Sequence, residues 1–193
     1  MPATLALVTA AADSFKVSLL AIPFSESPTL DGSLVDLDRS VGGAMQRAID
    51  ARDFRGAKDE VFFLSGSAGG PRRIAMVGLG KVADRAGSLR RAAAIAARQG
   101  MKLGGGDLAW LAIDTGKREI EAITSGLSAG AWEYKDLQTA PPESEQRKAL
   151  DRVSILSADS SDERDGFATG QAIGEVNSLA RTLAMMPGNL CTP

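Results

Sequence analysis

Short apolar runs and helix-spaced apolar positions alternate along this 193-residue chain, the order expected when a β-sheet is covered by helices. Residues 5–9 and 17–23 are rich in Val, Leu and Ile and are separated by the Asp13-Ser14 turn signal, so they read as two paired strands. Pro23 and Pro28 close the second. Asp36 then heads a helix whose apolar face is Leu37, Val41, Ala44, Met45, Ala48 and Ile49, with an end expected near Asp53. Residues 60–64 and 73–77 read as two further strands around Ser65-Gly66-Ser67-Ala68-Gly69-Gly70-Pro71, which suits a hairpin or a loop.

A long helix is expected over 85–102, presenting Leu89, Ala92, Ala93, Ala96 and Leu103 on one side, and Gly104-Gly105-Gly106 stops it. Residues 108–113 form the next buried strand. Another amphipathic helix spans 117–131 through Ile120, Ile123, Leu127 and Ala131, followed by Trp132 and Tyr134. Pro141-Pro142 marks an exposed connection, and 152–156 is the last strand. Ser160-Ser161-Asp162-Glu163 is a capping box and starts a final helix. Its inward face is expected at Phe167, Ala172, Val176, Leu179, Ala180 and Leu183. Gly170 and Gly174, one turn apart, allow another element to approach closely. Pro187-Gly188 ends this helix, and residues 189–193 read as a connection rather than a natural terminus.

Composition narrows the chemistry. With 44% apolar and 24% charged residues, the chain has the make-up of a globular protein, and its length suits one domain plus a tail. Twenty-two basic residues against 24 acidic ones give a net charge of −2, so no global positive charge recruits nucleic acid or an anionic membrane. There is no histidine and one cysteine, Cys191. Ser-His-Asp and Cys-His mechanisms, histidine-ligated zinc, four-cysteine zinc and an intrachain disulfide are all excluded. The lone thiol fits a reducing compartment, and a cytoplasmic location is expected. Residues 3–12 are apolar and end in alanines, as a short signal peptide does. They lack a basic flank and are far shorter than a membrane span, so they read as a first strand.

Three groups of residues invite functional readings. Gly78-Leu79-Gly80-Lys81-Val82-Ala83 fits the loose dinucleotide pattern G-x-G-x-x-A after a strand, where glycines admit a pyrophosphate to a helix N-terminus. The acidic partner expected about 20 residues on is replaced by Arg98, with Asp107 the next candidate, so a tight turn needing small residues is the better account. The 72–102 segment carries Arg72, Arg73, Lys81, Arg85, Arg90, Arg91, Arg98 and Lys102 against one acid, Asp84. It contains no aromatic residue for base stacking, and a solvated helix face partly paired with the acidic 159–165 segment is expected over a phosphate-binding surface. The carboxylates Asp36, Asp38, Asp50, Asp53, Glu119, Glu121, Asp162, Glu163 and Asp165 are assigned to capping and solvation rather than to a metal. Trp132 and Tyr134 read as core or interface anchors.

Taken together, several segments resemble the N-terminal portion of leucyl (cytosol) aminopeptidases, two-metal exopeptidases. They are Val41-Gly42-Gly43-Ala44, Asp53-Phe54-Arg55-Gly56, Val77-Gly78-Leu79-Gly80-Lys81 and Gly130-Ala131-Trp132-Glu133-Tyr134. To these add Ala180-Arg181-Thr182-Leu183 followed by Pro187-Gly188-Asn189-Leu190-Cys191-Thr192-Pro193, which is similar to a family connector of the form A-R-D-L-x-N-x-P-x-N-x-x-T-P. Thr182 and Met185 stand where that pattern has Asp and Asn.

The resemblance implies an α/β, macro-domain-like three-layer fold with a mixed central sheet flanked by helices. Residues 1–158 would form that domain, and 159–193 a connecting helix and linker toward a C-terminal catalytic domain. In the family the metal-binding and catalytic residues lie beyond the connector, so no catalytic, cofactor-binding or metal-binding residue is assigned within this chain. The resemblance further implies two divalent ions (Zn, Mn or Mg) in the full-length enzyme, a homo-hexamer, and peptide substrates. It gives this portion a role in assembly and active-site access. Two other readings stay open: a nucleotide-binding module of the ADP-ribose type using Gly78-Leu79-Gly80-Lys81, and a DNA-contacting surface on 72–102.

Overall fold

The apolar runs become six strands of one sheet in a computed structural model, which describes residues 3–134, 142 and 146–186. In chain order the elements are β1 (Thr4–Val8), β2 (Leu19–Ser25), α1 (Ser33–Ser40), α2 (Ala44–Asp50), β3 (Val61–Ser65) and β4 (Arg73–Gly80). Then come α3 (Arg85–Lys102), β5 (Gly106–Leu111), α4 (Lys117–Ala131), β6 (Leu150–Leu156) and α5 (Ser161–Met185). The strand order is β1-β6-β5-β2-β4-β3. Neighbours run parallel except β3, which forms an antiparallel hairpin with β4.

The expected pairing of the first two strands does not occur. β1 lies at the far edge against β6, with Thr4 beside Arg152 and Val8 beside Leu156, whereas β2 sits between β4 and β5. Apolar content identifies a strand but carries no address for its partner. Pro23 is inside β2 instead of closing it, and the ladder to β5 stops at Ala21, two residues earlier. A proline has no N–H to contribute to a ladder on both sides.

Alternation along β2 sorts the two cores. Leu19 and Ala21 face α3 and α4 together with Val77, Trp110 and Ile155. Leu20, Ile22 and Phe24 face α1 and α2, packing with Leu37, Met45 and Phe54. The result is a three-layer α/β fold with a mixed sheet.

The single helix expected from Asp36 to Asp53 is broken into α1 and α2 at Gly42 and Gly43, whose φ angles of 69° and 77° leave the helical region. Asp36 does not head it but lies in the first turn of α1. Asp38 performs the capping, its Oδ1 accepting from the amides of Met45 (2.8 Å) and Gln46 (3.3 Å).

Alanine dominates the inward side of α3, with Ala92, Ala93, Ala96 and Ala97 buried, and α4 lies close because its Gly126 and Gly130 meet the α3 backbone at Arg90 and Ala94, where a side chain would collide. Leu103, expected on that face, is beyond the helix and 38% exposed, and Met101 takes the buried place. α5 begins at its capping box, where Ser160 Oγ accepts from the amide of Glu163. Of its expected inward face, Phe167 packs against the core, whereas Ala172, Val176, Leu179, Ala180 and Leu183 are exposed, and Gly166, Gly170 and Gly174 are set against α4 instead. Pro141 and the 187–193 connector, with Cys191, lie outside the described residues.

Candidate functional site

The Gly78–Lys81 turn is the most specific ligand motif in the chain, and its geometry shows what the glycines do. β4 continues through Gly80, so Gly78 and Gly80 are strand residues, not members of a strand-to-helix loop. The segment Gly56-Ala57-Lys58 crosses directly over them. The amide of Gly80 donates to the carbonyl of Gly56 (3.0 Å), that of Gly78 to Glu60 (2.8 Å), and that of Asp59 to Gly78 (3.2 Å). A Cβ on Gly78 would collide with the Ala57 carbonyl, and one on Gly80 would lie 2.9 Å from Lys58 Cβ. These glycines admit the chain's own backbone, in the place where the dinucleotide reading puts a pyrophosphate.

Of the basic residues of 72–102, Arg73, Arg85 and Arg91 are held by partners elsewhere in the fold. α3 has 18 residues and is therefore about 27 Å long at 1.5 Å per residue, with charges spread along it. Arg85 donates to the carbonyl of Ile113 (2.8 Å), and Arg73 reaches Leu103 (3.3 Å). Arg91 bonds both Asp59 (2.7 Å) and the Leu79 carbonyl (3.3 Å). These arginines tie α3 and the sheet to neighbouring loops. The expected pairing with the 159–165 acids is replaced by other partners: Asp165 meets Lys117 at the head of α4 (3.4 Å) and Asp159 meets Arg164 (2.9 Å). The hydrogen bond from Arg164 holds the Asp159 carboxyl below its ordinary pKa, and the same bond raises that of Arg164.

Four more of the candidate carboxylates have structural partners. Asp36 pairs with Arg39 (2.6 Å), Asp50 accepts from Gln46 (2.8 Å), and Glu119 accepts from the Gly116 amide at the head of α4 (3.1 Å). Glu163 is buried, and its Oε2 accepts from the Ser160 amide (2.9 Å) and hydroxyl (3.2 Å). Its Oε1 accepts from Thr115 Oγ1 (2.8 Å), which joins α5 to the loop before α4. Thr115 carries no signal in the sequence, since the bond depends on tertiary placement. Among the described residues no three potential ligands converge on a metal position. Carboxylates engaged in caps and ion pairs do not fit a two-metal centre.

A groove of about 770 Å³ lies between α5, the end of α4 and the edge strand β1, lined by Leu5, Met101, Trp132, Tyr134, Gly174 and Leu179 among others. Trp132 anchors one wall. Its indole N–H donates to Thr182 Oγ1 (3.3 Å), and the Arg181 guanidinium stacks over its ring at 5.6 Å. Arg181 also donates to the Ala129 carbonyl (3.2 Å). The anchor role expected for Trp132 is thus a clasp between α5 and the end of α4.

Fold and site together define a macrodomain-type α/β layer structure whose motif glycines and carboxylates serve its own architecture. Residues 21–141 match the family model described as "Cytosol aminopeptidase family, N-terminal domain", and the chain belongs to that family. A probable cytosol aminopeptidase of Bordetella avium is 29% identical over 96% of this chain, and one of Bordetella pertussis is 30% identical over the same share. The chain spans 38% and 39% of those two proteins. A solved tomato leucine aminopeptidase mutant superposes over 99% of this chain and 40% of its own, with a TM-score of 0.79 at 22% identity. A Trypanosoma brucei macrodomain in complex with ADP-ribose shares the fold over 84% of this chain and 67% of its own, with a TM-score of 0.62 at 15% identity.

Proposed function

We propose that this chain is the non-catalytic N-terminal domain of a metal-dependent leucyl aminopeptidase, in which it serves assembly and access to the active site. The observation that carries this reading is the likeness to cytosol aminopeptidases along 96% of the chain but only 38% of the relative's length. In this reading residues 1–158 are the domain proper and 159–193 lead toward the catalytic portion. That portion binds the two divalent ions (Zn, Mn or Mg), holds the peptide substrate and forms the hexamer. A structural relative, a bottromycin maturation enzyme, was solved with Mn. The work is cytoplasmic, and among the described residues no helix is long and apolar enough to cross a membrane.

The test starts with the intact mass of the protein from its source cells, detected with an antibody against this chain. A species more than twice 20.1 kDa, with leucyl-amide hydrolysis that a chelator abolishes and divalent metal restores, is the expected result. A 20.1 kDa species with no such activity associated would overturn the reading.

A further inference from the structure

Helix α5 has two faces of opposite character. One is the glycine row Gly166, Gly170 and Gly174, closed against α4. On another, Ala172, Val176, Leu179, Leu183 and Met186 follow one another at alternating spacings of four and three. Val176, Leu179 and Leu183 are 65, 61 and 46% exposed. Between residues 172 and 186 the charged side chains are Glu175 and Arg181. Glu175 stands one turn before Leu179 at the margin of this row, where both line the groove, and Arg181 lies over Trp132. Scattered exposed apolar residues are ordinary. A row of five apolar residues along four turns with a single charge, Glu175, at its margin is not, because protein surfaces carry roughly a quarter to a third charged residues. Alternating three and four spacing gives a narrow seam suited to a second helix, not the broader face that a helix turns toward a sheet.

We propose that this seam receives a helix from the polypeptide that longer members of the family carry C-terminal to this region. The inference rests on the reading of this chain as an aminopeptidase N-terminal domain. Because this chain spans 38% of the Bordetella avium relative and matches an N-terminal domain, about three-fifths of such a protein lies beyond α5. The seam occupies the turns immediately before that point. α5 therefore lies between two bodies, zipped by glycines to α4 and by aliphatic side chains to the C-terminal portion.

The test compares the 193-residue chain with the polypeptide at the length its source cells make. Amide hydrogen exchange over residues 172–186 is expected to be at least tenfold slower in the longer polypeptide, with α3 and the central strands unchanged. Val176→Glu combined with Leu179→Glu removes that slowing and leaves the melting temperature of the 193-residue chain unaltered, since both side chains are in water there. A photo-crosslinker at Leu179 or Leu183 captures residues three or four apart in one helix; capture scattered over unrelated segments overturns the helical partner. A longer polypeptide whose 172–186 amides exchange as fast as those of the 193-residue chain overturns the seam and leaves the family reading standing. A source-cell protein of 20.1 kDa overturns both. Concentration-dependent dimerisation of the 193-residue chain, abolished by the two glutamates, gives the seam to a second copy and overturns the occupant proposed.

Discussion

Gly170 of α5 lies so close to Thr124 of α4 that a methyl group replacing its hydrogen would sit 2.7 Å from the threonine Cβ, and 2.6 Å from the Glu121 carbonyl oxygen. Alanine at a helix interior normally gains about 1 kcal/mol over glycine. Here the obstacle is backbone, which cannot rotate aside, and overpacking of this kind costs about 1–3 kcal/mol. Gly170→Ala is therefore expected to destabilise the chain by about 1 kcal/mol net and to lower its melting temperature by roughly 2–4 °C. A rise in melting temperature would show that α5 can move off α4 at no cost.

Glu163 holds three donors at once, from the Ser160 amide and hydroxyl and from Thr115. Removing it deletes half of the capping box and strands the Thr115 hydroxyl, each worth about 1 kcal/mol. Glu163→Ala is expected to lose about 2 kcal/mol in urea unfolding, whereas Glu163→Gln, which keeps an acceptor, loses less. Equal losses from the two variants would place the effect in charge rather than in hydrogen bonding.

Trp110 is fully buried, and among the described residues its indole N–H has no acceptor. Trp110→Phe discards both the unpaired donor, whose burial costs about 1–3 kcal/mol, and part of the ring's apolar volume. The two effects oppose each other, so the variant is expected within about 1 kcal/mol of the parent. Trp110→Ala, with nothing to offset the cavity, should cost about 3–5 kcal/mol. Similar unfolding midpoints for both variants would contradict this balance.

The Asp159 carboxyl is held below its ordinary pKa chiefly by its hydrogen bond from Arg164. A depressed folded-state pKa adds stability that is present above the unfolded-state value and is lost as pH falls through the folded one. Both groups are in solvent, so the contribution is small and salt-sensitive. In an NMR titration Arg164→Ala is expected to move the Asp159 midpoint upward, and high salt to reproduce part of that movement. No movement in either condition would mean that the pair is not formed in solution.

Because the 56–58 backbone fills the glycine faces of Gly78 and Gly80, ADP-ribose titrated into the chain is expected to release no heat in calorimetry. Heat that Lys81→Ala abolishes would show that the crossing segment lifts away and that the turn takes a nucleotide.

Periodicity locates the helices well wherever burial on one side is continuous. The 85–102 and 117–131 spans and the Ser160 capping box stand as expected, since each depends on contacts within a few residues. Features set by distant partners are not legible in this way. The partner of β1, the crossing of Gly56–Lys58 over β4 and the Thr115–Glu163 bond all join residues far apart in sequence. The inward face of α5 departs from expectation for another reason. Hydrophobicity marks the inward face of most helices, but a helix on a thin partner packs by its smallest residues, and the Gly166, Gly170 and Gly174 row is visible at four-residue spacing. The family, by contrast, is legible from short motifs spread along the whole chain, because these glycine and aromatic segments occupy fixed joints of the fold.

The placement of β1 bears on how the molecule is made. Its sheet partner is β6, with Thr4 beside Arg152, so β1 has no neighbour until Leu150–Leu156 has been synthesised. Hairpin β3–β4 and the α3–α4 pair join near neighbours and close early, whereas β1 must wait through the longest loop closure in the sheet. Its segment Thr4-Leu5-Ala6-Leu7-Val8 is uncharged, and it spends that interval without the protection that pairing gives. Synthesis, more than the finished fold, is where this chain is exposed to mispairing.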